Sequence, residues 1–123
     1  MQKEPEPVDW TGFDQLVADV GPEAMARLLQ TFYGEVQTRL AAFAELSAAA
    51  SVQGEGAVLH REIHSIKSAA ASFGAHALAK LAADIEIDIE KALYWHDVAR
   101  LAELAALFSH FQDLVAQRKN CNI

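Results

Sequence analysis

From Trp10 to Gln117 apolar side chains recur at intervals of three and four, in separate runs divided by the few glycines and prolines of the chain. A repeat near 3.6 belongs to an α-helix with one buried face, whereas a strand turns its side chains over every second residue. β-Branched runs and Asn-Gly or Asp-Gly hairpin turns are scarce, and Ala is abundant, which favours close-packed helices over a sheet. With 123 residues the chain suits one domain around a single core. The expected fold is all-α: an antiparallel four-helix bundle with a short additional N-terminal helix.

Residues 1–8 are polar and Pro-containing and read as a flexible tail. A short helix follows from about Asp9 to Asp19, burying Trp10, Phe13, Leu16 and Val17. Gly21-Pro22 breaks and restarts the chain, with Pro22 suited to the first helical position. The second helix should reach about Ala48, with Met25, Leu28, Leu29, Phe32, Val36, Leu40 and Phe43 as its stripe. Ser51 to Gly56 reads as a loop. A third helix ends at about Phe73, where Gly74 is a natural left-handed stop. The fourth runs from about Ala75 to Leu93, with Leu78, Leu81, Ala82, Ile85 and Ile89 inside. Tyr94-Trp95-His96-Asp97 is the next junction, with Tyr94-Trp95 closing the bundle end. A fifth helix spans about Asp97 to Gln117, burying Val98, Leu101, Ala105, Phe108 and Val115. The working domain is therefore 9–118, with 119–123 as a C-terminal tail.

Charge narrows the function. Seventeen acidic against ten basic side chains give a formal net charge of −7. Nucleic-acid binding needs a basic surface to replace phosphate counterions, and membrane-surface binding needs clustered Lys and Arg, so neither is expected. No apolar stretch is long enough to span a bilayer, no secretory leader is visible, and the single Cys121 cannot form an internal disulfide. A cytoplasmic monomer is the simplest expectation.

The third helix carries the chemistry. Leu59, Ile63, Ile66, Ala70 and Phe73 are spaced 4, 3, 4 and 3, a seam that buries one face. His64 lies about 100–180° around the helix from every member of that seam. Arg61, three residues before it, and Lys67 and Ser68, three and four after, share its face. An exposed imidazole between two cations is a competent nucleophile toward phosphorus. Phosphoryl transfer asks for positioning and charge stabilisation, which Lys67 and Arg61 could supply, increasingly so once a partner excludes water.

The run His64-Ser65-Ile66-Lys67-Ser68-Ala69-Ala70-Ala71-Ser72-Phe73-Gly74-Ala75, followed by Leu78 and Ile85-Glu86, resembles the signature of histidine phosphotransfer (HPt) domains. That signature is His-x-Leu/Ile-Lys-Gly, small residues, an apolar residue, Gly-Ala, Leu and a later Leu/Ile-Glu/Gln. The leading Trp10 helix and Phe32 match the family's layout as well. The resemblance implies that His64 is the phosphoacceptor through Nε2 and that Lys67 binds the phosphoryl group. It further implies that Glu86 orients the imidazole through Nδ1–H. Ser68 stands where the family usually has Gly, at a point of close approach by the partner, and Ala71 with the first helix would form the docking patch. The implied partners are response-regulator receiver domains and a hybrid sensor histidine kinase. The chain would be a phosphocarrier without independent turnover and without a cofactor, any Mg²⁺ belonging to the receiver. No Gly-rich phosphate loop marks an ATP site.

Taken alone, the residues leave other readings open. His64 and Lys67 could be solvated surface groups, Arg61 a surface ion-pair partner, and Glu86 a partner of Lys80 or Lys91 on its own helix. His60 and His64, four apart, have zinc-binding spacing. However, His-Arg-Glu-Ile-His is not the metalloprotease order, the flanking cations oppose a divalent ion, and the Glu-x-x-His pairs of di-iron bundles are missing. No metal is expected. A non-catalytic helical adaptor, binding through the Ala-rich surface at Ala69–Ala71, is the reading of another class. His76, His96 and His110 read as surface or cap residues.

Overall fold

A computed structural model of the chain describes residues 6–53, 56–92 and 97–121. Helix α1 spans Trp10–Val20, α2 Pro22–Gln53, α3 Gly56–Ser72, α4 His76–Ala92 and α5 Val98–Cys121, with no strand among the described residues. Helices α2 to α5 each pack on the next, α5 returns to α2, and α1 leans on α2. The bundle is antiparallel. His60 and His64 of α3 meet Glu90 and Glu86 of α4 in reverse order, and Asp88 of α4 meets Arg100 of α5. No described helix is long and apolar enough to cross a membrane.

The core follows the predicted stripes on α2, α3 and α4: Met25, Phe32, Val36, Phe43, Leu59, Ile63, Ile66, Ala70, Leu78, Ala82, Ile85 and Ile89 are all buried. Two expectations fail. Leu28 is 39% exposed, since Met25, Phe32 and Val36 already set the centre of the α2 stripe one position away. On α5 the buried positions are Leu104, Phe108 and Phe111, while Val98 is 67% exposed and Ala105 faces solvent. That helix is apolar on several sides, so two registers fit the period. The one that buries Leu104 and Phe111 removes the larger side chains from water.

Boundaries also move. Helix α2 runs past Ala48 to Gln53, because no breaker stands before Gly54 and Ala48–Ala50 are the best helix formers. Ser51 to Gln53 and Gly56, read as loop, are therefore helical. Helix α5 likewise continues to Cys121, into the span read as tail. Leu93, Tyr94, Trp95 and His96 lie outside the described residues, as do residues 1–5.

The first helix is anchored at its start. Asp9 caps it, its carboxylate accepting from Gly12 N at 3.1 Å. Val8 and Phe13, one residue before the cap and four after it, are 3% and 8% exposed, the positions of a hydrophobic staple. Pro7 O accepts from Ala77 N at 3.3 Å, so the end of the span read as a loose tail is docked on α4.

Gly74 is where this lid meets the bundle. Its φ of +73° ends α3, with Ala75 N donating to Ala70 O at 2.9 Å and Gly74 N to Ala71 O at 3.2 Å, a Schellman pattern. Asp9 N also donates to Gly74 O at 2.8 Å, and a Cβ on Gly74 would sit 2.7 Å from Asp9 O. The residue must therefore lack a side chain for two separate reasons. Phe73 beside it stacks on Phe32 at 4.5 Å between ring centroids. Phe13, Phe108 and Phe111 fill out this end of the core, while Arg118 of α5 lies 4.1 Å over the Trp10 ring and pairs with Asp14 at 2.6 Å.

Candidate functional site

His64 stands in the middle of α3, on the face opposite Leu59, Ile63, Ile66 and Ala70, each of which is fully buried. Those four anchor the helix, so the His64 backbone is fixed while its side chain stays 54% exposed. The ring is oriented from α4. Glu86 Oε2 lies 2.7 Å from His64 Nδ1. Glu86 is itself set between Ile85 and Ile89 of the α4 inner face, and its side chain is only 10% exposed.

An ionised carboxylate can only accept, so the proton in this bond belongs to Nδ1. Nε2 then keeps its lone pair and has no partner among the described residues. Lys67, one turn after His64, donates from Nζ to Glu86 Oε1 at 2.5 Å. Burial alone would push the Glu86 carboxyl up; the hydrogen bonds and charges of Lys67 and His64 overcome it and hold the group below the ordinary carboxylate range. Glu86 is thus kept ionised, with both oxygens in use.

The sequence-predicted residues fall into two groups. His64, Lys67 and Glu86 come together through these two bonds, and the partner of Glu86 is Lys67 rather than Lys80 or Lys91. Arg61, Ser68 and Ala71 are exposed on the same outer face of α3 as His64, and Arg61 forms no ion pair among the described residues. Gly74 closes the helix nearly three turns beyond His64, buried beneath the lid.

His60 has a larger part than sequence spacing alone suggested. Its Nε2 lies 2.9 Å from Glu90 Oε1 and 3.4 Å from Glu86 Oε2. Its ring is parallel to that of His64, with centroids 6.3 Å apart and an 8° interplanar angle. The signal was present as two matched spacings, His60/His64 on α3 and Glu86/Glu90 on α4, each four apart and running in opposite directions. The donor atoms of His60, Glu86 and Glu90 converge within 4.8 Å, a different set from the His60/His64 pair with zinc-binding spacing. The Lys67 ammonium on Glu86 opposes a divalent ion there.

A buried carboxylate thus fixes an exposed imidazole, beside a lysine one turn away, and Nε2 is left without a partner among the described residues. The Hpt domain family model matches residues 27–120. No curated protein and no solved structure gives a significant match. The matched span takes in α3, α4 and nearly all of α2 and α5, and with the His64–Glu86 geometry it places this chain in the Hpt domain family, the helical histidine-phosphotransfer modules of two-component phosphorelays.

Proposed function

We propose that Nε2 of His64 takes a phosphoryl group from an aspartyl phosphate on one receiver domain and gives it to an aspartate on another. The observation that carries this reading is the 2.7 Å bond from Nδ1 to the buried Glu86, which leaves Nε2 as the nucleophile. The Nε2 lone pair attacks phosphorus, the N–P bond forms, and the P–O bond to the donor aspartate breaks, its electron pair leaving on the carboxylate. Nδ1 keeps its proton throughout, so the product is a phospho-imidazolium whose positive charge faces Glu86. That charge makes Nε2 a good leaving group for the next step, in which the acceptor carboxylate attacks phosphorus and the N–P electrons return to the ring.

Lys67 neutralises the phosphoryl oxygens as charge spreads over them, and Arg61 adds positive field from the next turn. Ser68 and Ala71, small and exposed, let the receiver approach, and Ser68 in place of a glycine alters partner range or transfer rate. Any Mg²⁺ acts on the receiver side. The domain is a monomeric cytoplasmic phosphocarrier, fed by a hybrid sensor histidine kinase, with no turnover of its own.

The test uses ³²P-labelled receiver domains, the intact chain and His64→Gln. Acid-labile, base-stable label on the native chain alone supports the reading. Label on the variant moves the acceptor elsewhere. No label on the native chain, while a control Hpt domain accepts from the same receivers, leaves a helical adaptor.

A further inference from the structure

We propose that His60 is a positioning residue that becomes the second donor to Glu86, on the oxygen that His64 Nδ1 also holds, once His64 is phosphorylated and Lys67 is drawn to the phosphoryl group. The inference rests on the phosphocarrier reading and concerns the phosphorylated state of the site. At rest the two oxygens of Glu86 are divided between Lys67 and His64. Phosphorylation at Nε2 puts anionic oxygens on the ring edge opposite Nδ1, so the phosphoryl group and Glu86 draw the Lys67 ammonium in different directions. When Lys67 moves to the phosphoryl group, a buried carboxylate is left with a single donor. A carboxylate so stranded tends to take up a proton, and the nearest is the one on His64 Nδ1. Losing it would neutralise the phospho-imidazole and make Nε2 a poorer leaving group.

His60 is placed to prevent this. Its Nε2 is 3.4 Å from Glu86 Oε2, and a shift of about half an ångström brings it to hydrogen-bond distance. Both neighbours of Nε2 are carboxylates, so that atom carries a proton whether the ring is neutral or charged. Glu90 holds the ring ready at 2.9 Å and, being 57% exposed, can exchange His60 for water when it moves. An ordinary surface His–Glu pair would account for the bond to Glu90. It would not require a ring parallel to His64 with its donor set against the buried carboxylate.

The experiment compares the intact chain with His60→Phe, which keeps an aromatic ring but no donor, and His60→Gln, which restores an N–H. Two quantities are read: ¹⁵N shifts of the His64 ring before and after phosphorylation, and the rate of transfer from phospho-His64 to a receiver. At rest all three should show the Nδ1–H tautomer, since Lys67 and Glu86 are intact. After phosphorylation His60→Phe should lose the Nδ1 proton signal and transfer about three- to tenfold more slowly, with His60→Gln within about twofold of native. Equal rates and spectra in all three overturn the role of His60 and leave the phosphocarrier reading standing. A tautomer already lost at rest in His60→Phe also overturns it, because His60 would then act before phosphorylation. A native chain that accepts no label overturns the carrier reading itself, and this inference with it.

Discussion

Asp14 and Glu86 each join two helices by accepting from a cation of another helix, at similar distances, and they have little else in common. Asp14 meets Arg118 at 2.6 Å across α1 and α5 with its side chain 53% exposed. Glu86 meets Lys67 and His64 across α4 and α3 at 10% exposed. Water competes for the first carboxylate and screens it, so the pair contributes little beyond the packing of Arg118 on Trp10. The second is largely removed from water, so each of its bonds fixes a proton or a charge in place. What distinguishes a clasp from a chemical site here is the burial of the acceptor, which the number of ion pairs does not reveal.

The contrast can be broken outright at Gly74, where the lid and the reactive helix meet. Gly74→Val forces a left-handed φ on a branched residue and drives Cβ into Asp9 O, so it should cost about 3 kcal/mol. A loss of Tm of about 10 °C by calorimetry, with α1 undocked, is the expected outcome. Glu86→Ala comes next. It frees the imidazole to choose either tautomer and strands Lys67, and should slow phosphoryl acceptance about a hundredfold, or about 2.7 kcal/mol. Single-turnover labelling near the native rate would put the orientation of His64 elsewhere.

Lys67→Ala should slow transfer about ten- to a hundredfold, or about 1.4–2.7 kcal/mol, with helicity unchanged by circular dichroism. An unchanged single-turnover rate removes Lys67 from the mechanism. A smaller effect is read through pH. The folded Glu86 carboxyl titrates below its ordinary value of 4.5, so the stability it contributes is fully present above that value and fades as pH falls below it. In urea unfolding, the gap between the native chain and Glu86→Gln should narrow as pH falls from about 5 toward about 3. Smallest of all, Asp14→Asn should change stability by less than about 1 kcal/mol and leave transfer unaltered. A tenfold loss of transfer there would make the Asp14–Arg118 clasp itself, and not only the packed helix, part of receiver docking.

The bundle was legible because most large residues of α2, α3 and α4 fall on one face each, Leu28 and Ile87 being the exposed exceptions. Helix α5 misled at Val98 and Ala105 because apolar side chains surround it, and only packing chooses between its registers. His64, Lys67 and Glu86 were readable because they lie in a dense local motif with fixed spacing. The Lys67–Glu86 bond was not, since it depends on the rotation of two helices about each other, and the His60–Glu90 arm showed only as matched spacings of four on α3 and α4. Val8 and Asp9 carried a cap-and-staple pattern in plain sight, obscured by the Pro-rich residues before them.

The short turn at Gly74 also bears on the order in which this molecule assembles. His64 and Glu86 are 22 residues apart and Lys67 and Glu86 only 19, whereas Asp14 and Arg118 are separated by 104. Loop-closure entropy grows with the span enclosed, so the α3–α4 hairpin is the cheaper structure to form first and the α1–α5 clasp one of the last. The folding nucleus and the reactive constellation would then be the same hairpin. Conservative truncations at Ile66 or Ile85 should accordingly give high φ-values and slow folding, while truncation at Val17 should mainly hasten unfolding. The chain would complete the His64–Glu86 pairing before it closes its lid.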